Sequence, residues 1–168
     1  MIRRVAVRAV IVNDQGYMFA VRQRKRDGTA KDFWCTIGGG VDIQETLQDA
    51  IVRECIEETG VTPAVGALLY VQQFSDATYD HLEFFYRVEN WQDFVDVDLT
   101  KTTHGMAEIV ECRFIDVHEQ KTLPTFLQEV DITKNEAVQF FSYKVVIIRS
   151  TTSVSVAATR SASGELSS

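Results

Sequence analysis

Apolar and polar residues along this chain fall into short strand-like runs interleaved with two helical patterns, which suggests an α/β/α sandwich around a mixed sheet. Residues 2–13 and 17–23 are expected as strands joined by an Asn13-Asp14-Gln15-Gly16 turn. A basic loop over 24–31 follows, then a short strand over 33–37 running into Gly38-Gly39-Gly40. Residues 67–74 and 81–88 pattern as a hairpin about the loop 75–80. An acidic loop over 89–106 precedes a strand over 109–115, and 124–130 suggests a second helix. Residues 140–149 are apolar and β-branched and predict a further strand. Ten of the nineteen residues from Ser150 to Ser168 are Ser or Thr, with no aromatic, so a flexible extension is expected there.

The longest helical pattern starts after Thr46, which with Asp49 forms a capping-box-like pair, and stops at Gly60, suited to a left-handed cap. Positions three and four apart share a helix face, so Glu54, Glu57 and Glu58 gather on one side. Val52, Cys55 and Ile56, with Ile51 at the margin, form the adjacent apolar stripe. Like charges at that spacing destabilise a helix unless a positive group offsets them. Carboxylates alone, with no His or Cys cluster nearby, suit a hard cation such as Mg²⁺, Mn²⁺ or Ca²⁺. The plain alternative is a solvated acidic face.

Composition narrows the class. With 168 residues, 45% hydrophobic and 24% charged, the chain fits a globular domain with a sizeable core, expected over residues 1–149. Its 24 acidic and 17 basic residues give a net charge of −7, which argues against duplex nucleic acid or an anionic membrane as partner. No apolar run reaches the roughly 18 residues of a membrane span. Arg8 interrupts the apolar N-terminal stretch, which therefore reads as a strand and not a signal peptide. Three cysteines, Cys35, Cys55 and Cys112, are odd in number and widely spaced, as in a cytoplasmic protein with reduced thiols.

The stretch from Gly39 to Val61 resembles the Nudix box of the MutT/Nudix hydrolases. Gly39, Glu45, Arg53, Glu54, Glu57, Glu58, Gly60 and Val61 all fall in register, and Cys55 replaces one aliphatic position. Ile37 stands where Pro commonly precedes the glycines. The resemblance implies an α/β/α sandwich around a central mixed β-sheet. It implies a Mg²⁺ site, with Mn²⁺ as a substitute, made by Glu54, Glu57, Glu58 and the Gly39 carbonyl. Arg53 would orient the carboxylates and Glu45 would help organise them. The implied reaction is hydrolysis of a nucleoside diphosphate linked to a second group X. The general base is open among Glu57, Glu58 and a residue of a later loop, where Glu108 and then Glu111 are the candidates. A homodimer would be common for the family.

Substrate contacts are sought outside the box. Arg22 and Arg24, in the basic run beside the glycines, are candidate phosphate contacts. Trp34 is a candidate for stacking on a base, with Phe74, Tyr79 and Phe85 as further aromatics, although strand aromatics are more often core. His81 and His104 read as surface residues. Two other functions are compatible with the fold: a non-catalytic nucleotide sensor, disfavoured by the complete box, and an isoprenyl diphosphate isomerase using Cys35 and a Glu.

Overall fold

The computed structural model describes residues 2–134, 137–149 and 154–162. Among them are nine strands: β1 (Ile2–Ile11), β2 (Met18–Gln23), β3 (Trp34–Cys35), β4 (Val65–Ser75), β5 (Tyr79–Val88), β6 (Ile109–Ile115), β7 (Thr122–Leu123), β8 (Gln139–Arg149) and β9 (Val154–Ala162). Two helices, α1 (Leu47–Thr59) and α2 (Gly105–Glu108), complete the regular structure of the described residues with three 3₁₀ turns. The mixed α/β architecture expected from the sequence is present, its strands divided between two mixed sheets. One has the order β1-β5-β4-β8-β9 and the other β6-β2-β3-β7.

β1 organises the molecule. It pairs in parallel with β5, from Ile2 opposite Tyr79 to Ile11 opposite Val88. Its alternate side chains enter different cores, as the two-residue period of a strand requires. Val7, Ala9 and Ile11 join Phe19, Ile51 and Phe94 in one cluster, while Val10 joins Phe85, Phe126 and Leu127 in the other. Arg8 lies on the Val10 side, paired there with Glu83 at 2.7 Å.

α1 begins as expected. The Thr46 hydroxyl accepts from the Asp49 amide, and Gly60 closes the helix at φ 75° with its N–H on the Ile56 carbonyl. The apolar stripe, however, differs from the expected one. Ala50, Ile51 and Cys55 are buried together with Glu58 and Thr59, while Ile56 is 41% exposed. The helix is rotated so that Glu58, and not Ile56, faces inward.

Three further differences concern segments outside the box. Residues 89–106 are not a plain loop but carry 3₁₀ turns at Trp91–Phe94 and Leu99–Lys101 and run into α2. Buried Phe94 anchors the first of these turns. The helix expected over 124–130 is a single 3₁₀ turn, Thr125–Gln128, pinned by buried Phe126 and Leu127. β8 confirms the strand expected over 140–149 and pairs in parallel with β4. Within the segment expected as an extension, β9 pairs antiparallel with β8 from Arg149–Val154 to Phe141–Ala162. Its Val, Thr and Ala content suits a strand despite the serines. Residues 150–153 and 163–168 lie outside the described residues.

Candidate active site

The site is built by the glycine loop, α1 and α2. The glycine loop runs along β1: the Val7 amide donates to the Gly39 carbonyl at 2.9 Å, Ala9 to Ile37 at 2.9 Å and Val41 to Val5 at 3.0 Å. This close approach explains the glycines. Gly38 sits at φ 134°, and a Cβ there would overlap the Val7 carbonyl. A Cβ on Gly39 would stand 2.6 Å from the Glu54 carboxyl carbon. The glycine thus leaves room for the Glu54 carboxylate against the backbone. Its carbonyl keeps one lone pair beyond the bond to Val7.

Arg53 ties the acidic residues together. Its Nε donates to Glu45 Oε1 at 2.8 Å and its Nη2 to Glu45 Oε2 at 2.9 Å, a two-pronged pair. Nη2 also reaches the Gly40 carbonyl at 2.9 Å, and Nη1 reaches Glu54 Oε1 at 2.7 Å and Glu57 Oε2 at 3.2 Å. The Asp42 amide adds a hydrogen bond to Glu45 at 2.9 Å. Arg53 and then Asp42 hold the Glu45 carboxyl down to about 2, and the Glu45 hydrogen bonds raise Arg53 further above its ordinary value. Glu45 therefore acts on the other carboxylates through Arg53.

Glu54 and Glu58 are pushed the other way. Burial raises Glu54, against the pull of Arg53. Burial, then the charge of Glu54, pushes Glu58 up to about 8, with Arg8 opposing and Glu108 adding to the rise. Glu58 is 5% exposed, and its Oε2 has no hydrogen-bond partner among the described residues. Such an atom costs free energy unless something positive approaches it. Among the described residues, no three Asp, Glu, His or Cys side chains stand ready to hold a cation. Arg53 occupies one oxygen each of Glu54 and Glu57. The bare Oε2 of Glu58, the all-oxygen donor set and the space left by Gly39 nevertheless suit a hard dication better than any soft metal.

α2 closes the other side. Gly105 packs so tightly that a Cβ would overlap the Glu58 carbonyl oxygen. Glu108 is exposed at its C-terminal end, near enough to Glu58 to act on its charge. Sequence reasoning missed His104, whose amide donates to the Glu57 carbonyl at 3.0 Å and whose Nδ1 lies 3.3 Å from Glu57 Oε2. Only the folding back of residues 89–106 brings it there, and no local spacing signals it.

The candidate substrate contacts Arg22, Arg24 and Trp34 all have partners within the chain. Arg24 donates to the carbonyls of Gly28, Met106 and Ile109, fastening its loop to α2. Arg22 binds the Lys31 carbonyl at 2.9 Å and Glu111 at 3.4 Å, and sits 5.8 Å from the Trp34 ring centre. Trp34 is 5% exposed within the second core, with Arg113 4.9 Å from its ring centre. Glu111 is engaged by both Arg22 and Arg113, whereas Glu108 makes no ion pair among the described residues. A cleft of about 370 Å³ opens instead beside the glycine loop, lined by Arg8, Phe33, Cys35, Gln72, Phe74 and Glu83 among others. Phe74 is there, stacked on His81 at 4.4 Å, while Phe85 is core. Burial pushes the Cys35 thiol up to about 11.

Fold and site together define an α/β domain with an arginine-organised carboxylate cluster on one helix. The NUDIX domain family model matches residues 2–142, and the chain belongs to that family. An ADP-ribose pyrophosphatase from Methanocaldococcus jannaschii is 35% identical over 72 residues, which cover 43% of this chain and 41% of that protein. The match thus spans less than half of that relative. Among solved structures, a MutT protein from Methanosarcina mazei Go1 aligns with TM-score 0.60 and 22% identity, covering 79% of this chain and 91% of that one. The E. coli ORF135 protein aligns with TM-score 0.61 and 20% identity over the same shares, 79% and 91%. An ADP-ribose pyrophosphatase from Streptococcus suis aligns at 0.56 and 14%, covering 82% and 98%. At such identities these structures speak for the fold.

Proposed function

We propose that this chain is a divalent-cation-dependent pyrophosphohydrolase that cleaves a nucleoside diphosphate linked to a group X. The products are a nucleoside monophosphate and a phosphorylated X. The observation that carries this reading is the arrangement on α1: Arg53 gathers Glu45, Glu54 and Glu57, while buried Glu58 keeps Oε2 bare. Glu54, Glu57, Glu58 and the Gly39 carbonyl are the residues that would hold Mg²⁺ or Mn²⁺. When bound, the cation supplies Lewis acidity toward a phosphoryl oxygen and offsets the negative charge that the carboxylates present to a polyphosphate.

The chain's own groups do the rest. Arg53 keeps the carboxylates in register before substrate arrives, which spares reorganisation during the reaction. Glu108, exposed and without an ion pair among the described residues, is the carboxylate best placed to take the proton of the attacking water as the bridging P–O bond breaks. Glu111, paired with two arginines, is less suited. His104 fixes Glu57 at its carbonyl and carboxylate.

The pyrophosphatase relative puts ADP-ribose among the candidate substrates, beside nucleoside triphosphates and nucleotide sugars. Cys35, Cys55 and Cys112 are all unpaired, which supports a reducing, cytoplasmic setting, and no described helix is long and apolar enough to cross a membrane. The isomerase alternative needs an acidic thiol, and Cys35 is displaced in the opposite direction.

The test is a release assay over these substrates with and without Mg²⁺ or Mn²⁺, on the natural chain and on Glu57→Gln. The variant keeps the shape of the side chain and loses its charge. Its kcat is expected to fall by at least about two orders of magnitude. A near-normal rate at saturating Mg²⁺ would overturn the assignment.

A further inference from the structure

The cleft beside the glycine loop holds polar groups that the carboxylate chemistry does not use. Gln72 is 5% exposed, lines the cleft, and its Oε1 has no hydrogen-bond partner among the described residues. Glu83, opposite Gln72 in the β4–β5 register, lines the same cleft. Directly opposed residues on one sheet face stand about 5 Å apart at Cβ, so the two side chains present their ends side by side. Arg8 holds Glu83 through one oxygen only: Nε at 3.2 Å and Nη2 at 2.7 Å both bind Oε1. Two acceptors, the Gln72 carbonyl and the second Glu83 oxygen, are thus carried by directly opposed residues that line one largely apolar recess.

Phe33, Phe74, Leu123 and Pro124 supply flat and apolar walls, and Phe74 is itself held parallel to His81 with 7° between the planes. At about 370 Å³ the space suits a heterocycle with part of its sugar. The cleft is also wired to the carboxylate site. Arg8 Nη1 donates to the Gly38 carbonyl at 2.7 Å, and both Arg8 and the Gly38 backbone act to lower the Glu58 carboxyl against its burial.

We infer that Gln72 and Glu83, the latter held by Arg8, select substrates whose base carries an exocyclic amino group. This rests on the hydrolase reading for the placement of the base, and deepens it by naming a determinant of substrate class. An amino group offers two N–H donors to two adjacent acceptors. Uracil and thymine offer a single N–H on that edge, which can satisfy only one of the two acceptors. Adenine, guanine and cytosine nucleotides satisfy the pair; uracil nucleotides leave it unsatisfied. A site built to bind a donor discriminates strongly against an analogue that lacks it. Gln72 and Glu83 touch the base and not the phosphates, so they set affinity and not the chemical step.

The experiment is calorimetric binding of AMP, GMP, CMP and UMP, which differ only in the base, to the natural chain, to Gln72→Leu and to the milder Gln72→Met. The expected result is that UMP binds at least about tenfold more weakly than the best amino-bearing nucleotide. Both variants should shrink that ratio to within about threefold while keeping the natural fold by circular dichroism. Equal affinity for UMP, a ratio untouched by either variant, or no binding of any nucleotide would overturn the inference. The release assay separates the two readings, because selective binding without turnover sinks the hydrolase and leaves the base selection standing, whereas turnover without base preference does the reverse.

Discussion

Glu58→Gln should make the cation-free protein more stable and inactive, a result that follows from the charge of one buried side chain. Glu58 rises from 4.5 to about 8 because burial and Glu54 penalise its ionised form. Between those two values the folded chain binds more protons than the unfolded chain. Stability therefore falls as pH rises through this window and levels off above it. At pH 7 the deficit is on the order of 3 kcal/mol, taking about 1.4 kcal/mol per tenfold change in proton affinity. Glutamine keeps the shape and removes the ionisation. For a chain of this size the gain corresponds to roughly 6–12 °C in melting temperature near neutral pH and to almost nothing near pH 4.5. The assay is thermal melting in chelator at pH 4.5 and pH 8, repeated with excess Mg²⁺. A ligand bound only by the folded state stabilises it, so Mg²⁺ should recover much of the deficit in the natural chain and little in the variant. Parallel melting curves for the two proteins at both pH values would refute the reasoning.

Gly39→Ala would drive its methyl against Glu54 and is expected to lower kcat/KM by at least about tenfold, with steady-state rates under saturating Mg²⁺ as the check. Deleting all residues after Arg149 removes β9, which among the described strands pairs only with β8 and carries none of the box residues. Specific activity of the truncated chain should stay within about twofold of the full chain, and a large loss would show that β9 supports the site.

The parts of the site legible in the sequence are those set within one element. Thr46, Gly60 and the 3.6-residue period of a helix are enough by themselves to place Glu54, Glu57 and Glu58 on one face of α1. The period alone does not say which flank of that helix packs inward. Val52 and Ile56 are as apolar as Ala50 and Ile51, and docking against β1 decides between them. Arg22, Arg24 and Trp34 are attractive as substrate contacts because a basic run beside a glycine loop suggests phosphate. In the structure the two arginines reach carbonyls and a carboxylate as far as 82 and 89 residues away, and Trp34 lies under Arg113, contacts that no local pattern reveals. Gln72 and Glu83 escape sequence reasoning for the same cause: alternation marks their strands, and only the register of three strands brings them beside Arg8.

Arg53 resolves the apparent conflict between an acidic site suited to a cation and the lack of a ready-made cage among the described residues. Three carboxylates, Glu45, Glu54 and Glu57, converge around one guanidinium, and the buried Glu58 lies close enough to Glu54 to feel its charge. If all were ionised without it, repulsion at these separations would splay the side chains or protonate several of them. Arg53 offsets one charge completely at Glu45, which it holds at about 2, and shares its remaining donors between Glu54 and Glu57. Glu58 receives none of its hydrogen bonds and keeps its proton toward neutral pH instead. The cluster is thus stable without a cation yet left with excess negative charge. An entering dication must compete with Arg53 for Glu54 and Glu57 and with a proton for Glu58. Both competitions weaken binding of the bare ion, and a substrate that brings its own phosphate oxygens to the cation tips them toward the bound state. Cation and polyphosphate are therefore expected to bind cooperatively, each completing for the other a site that neither fills alone.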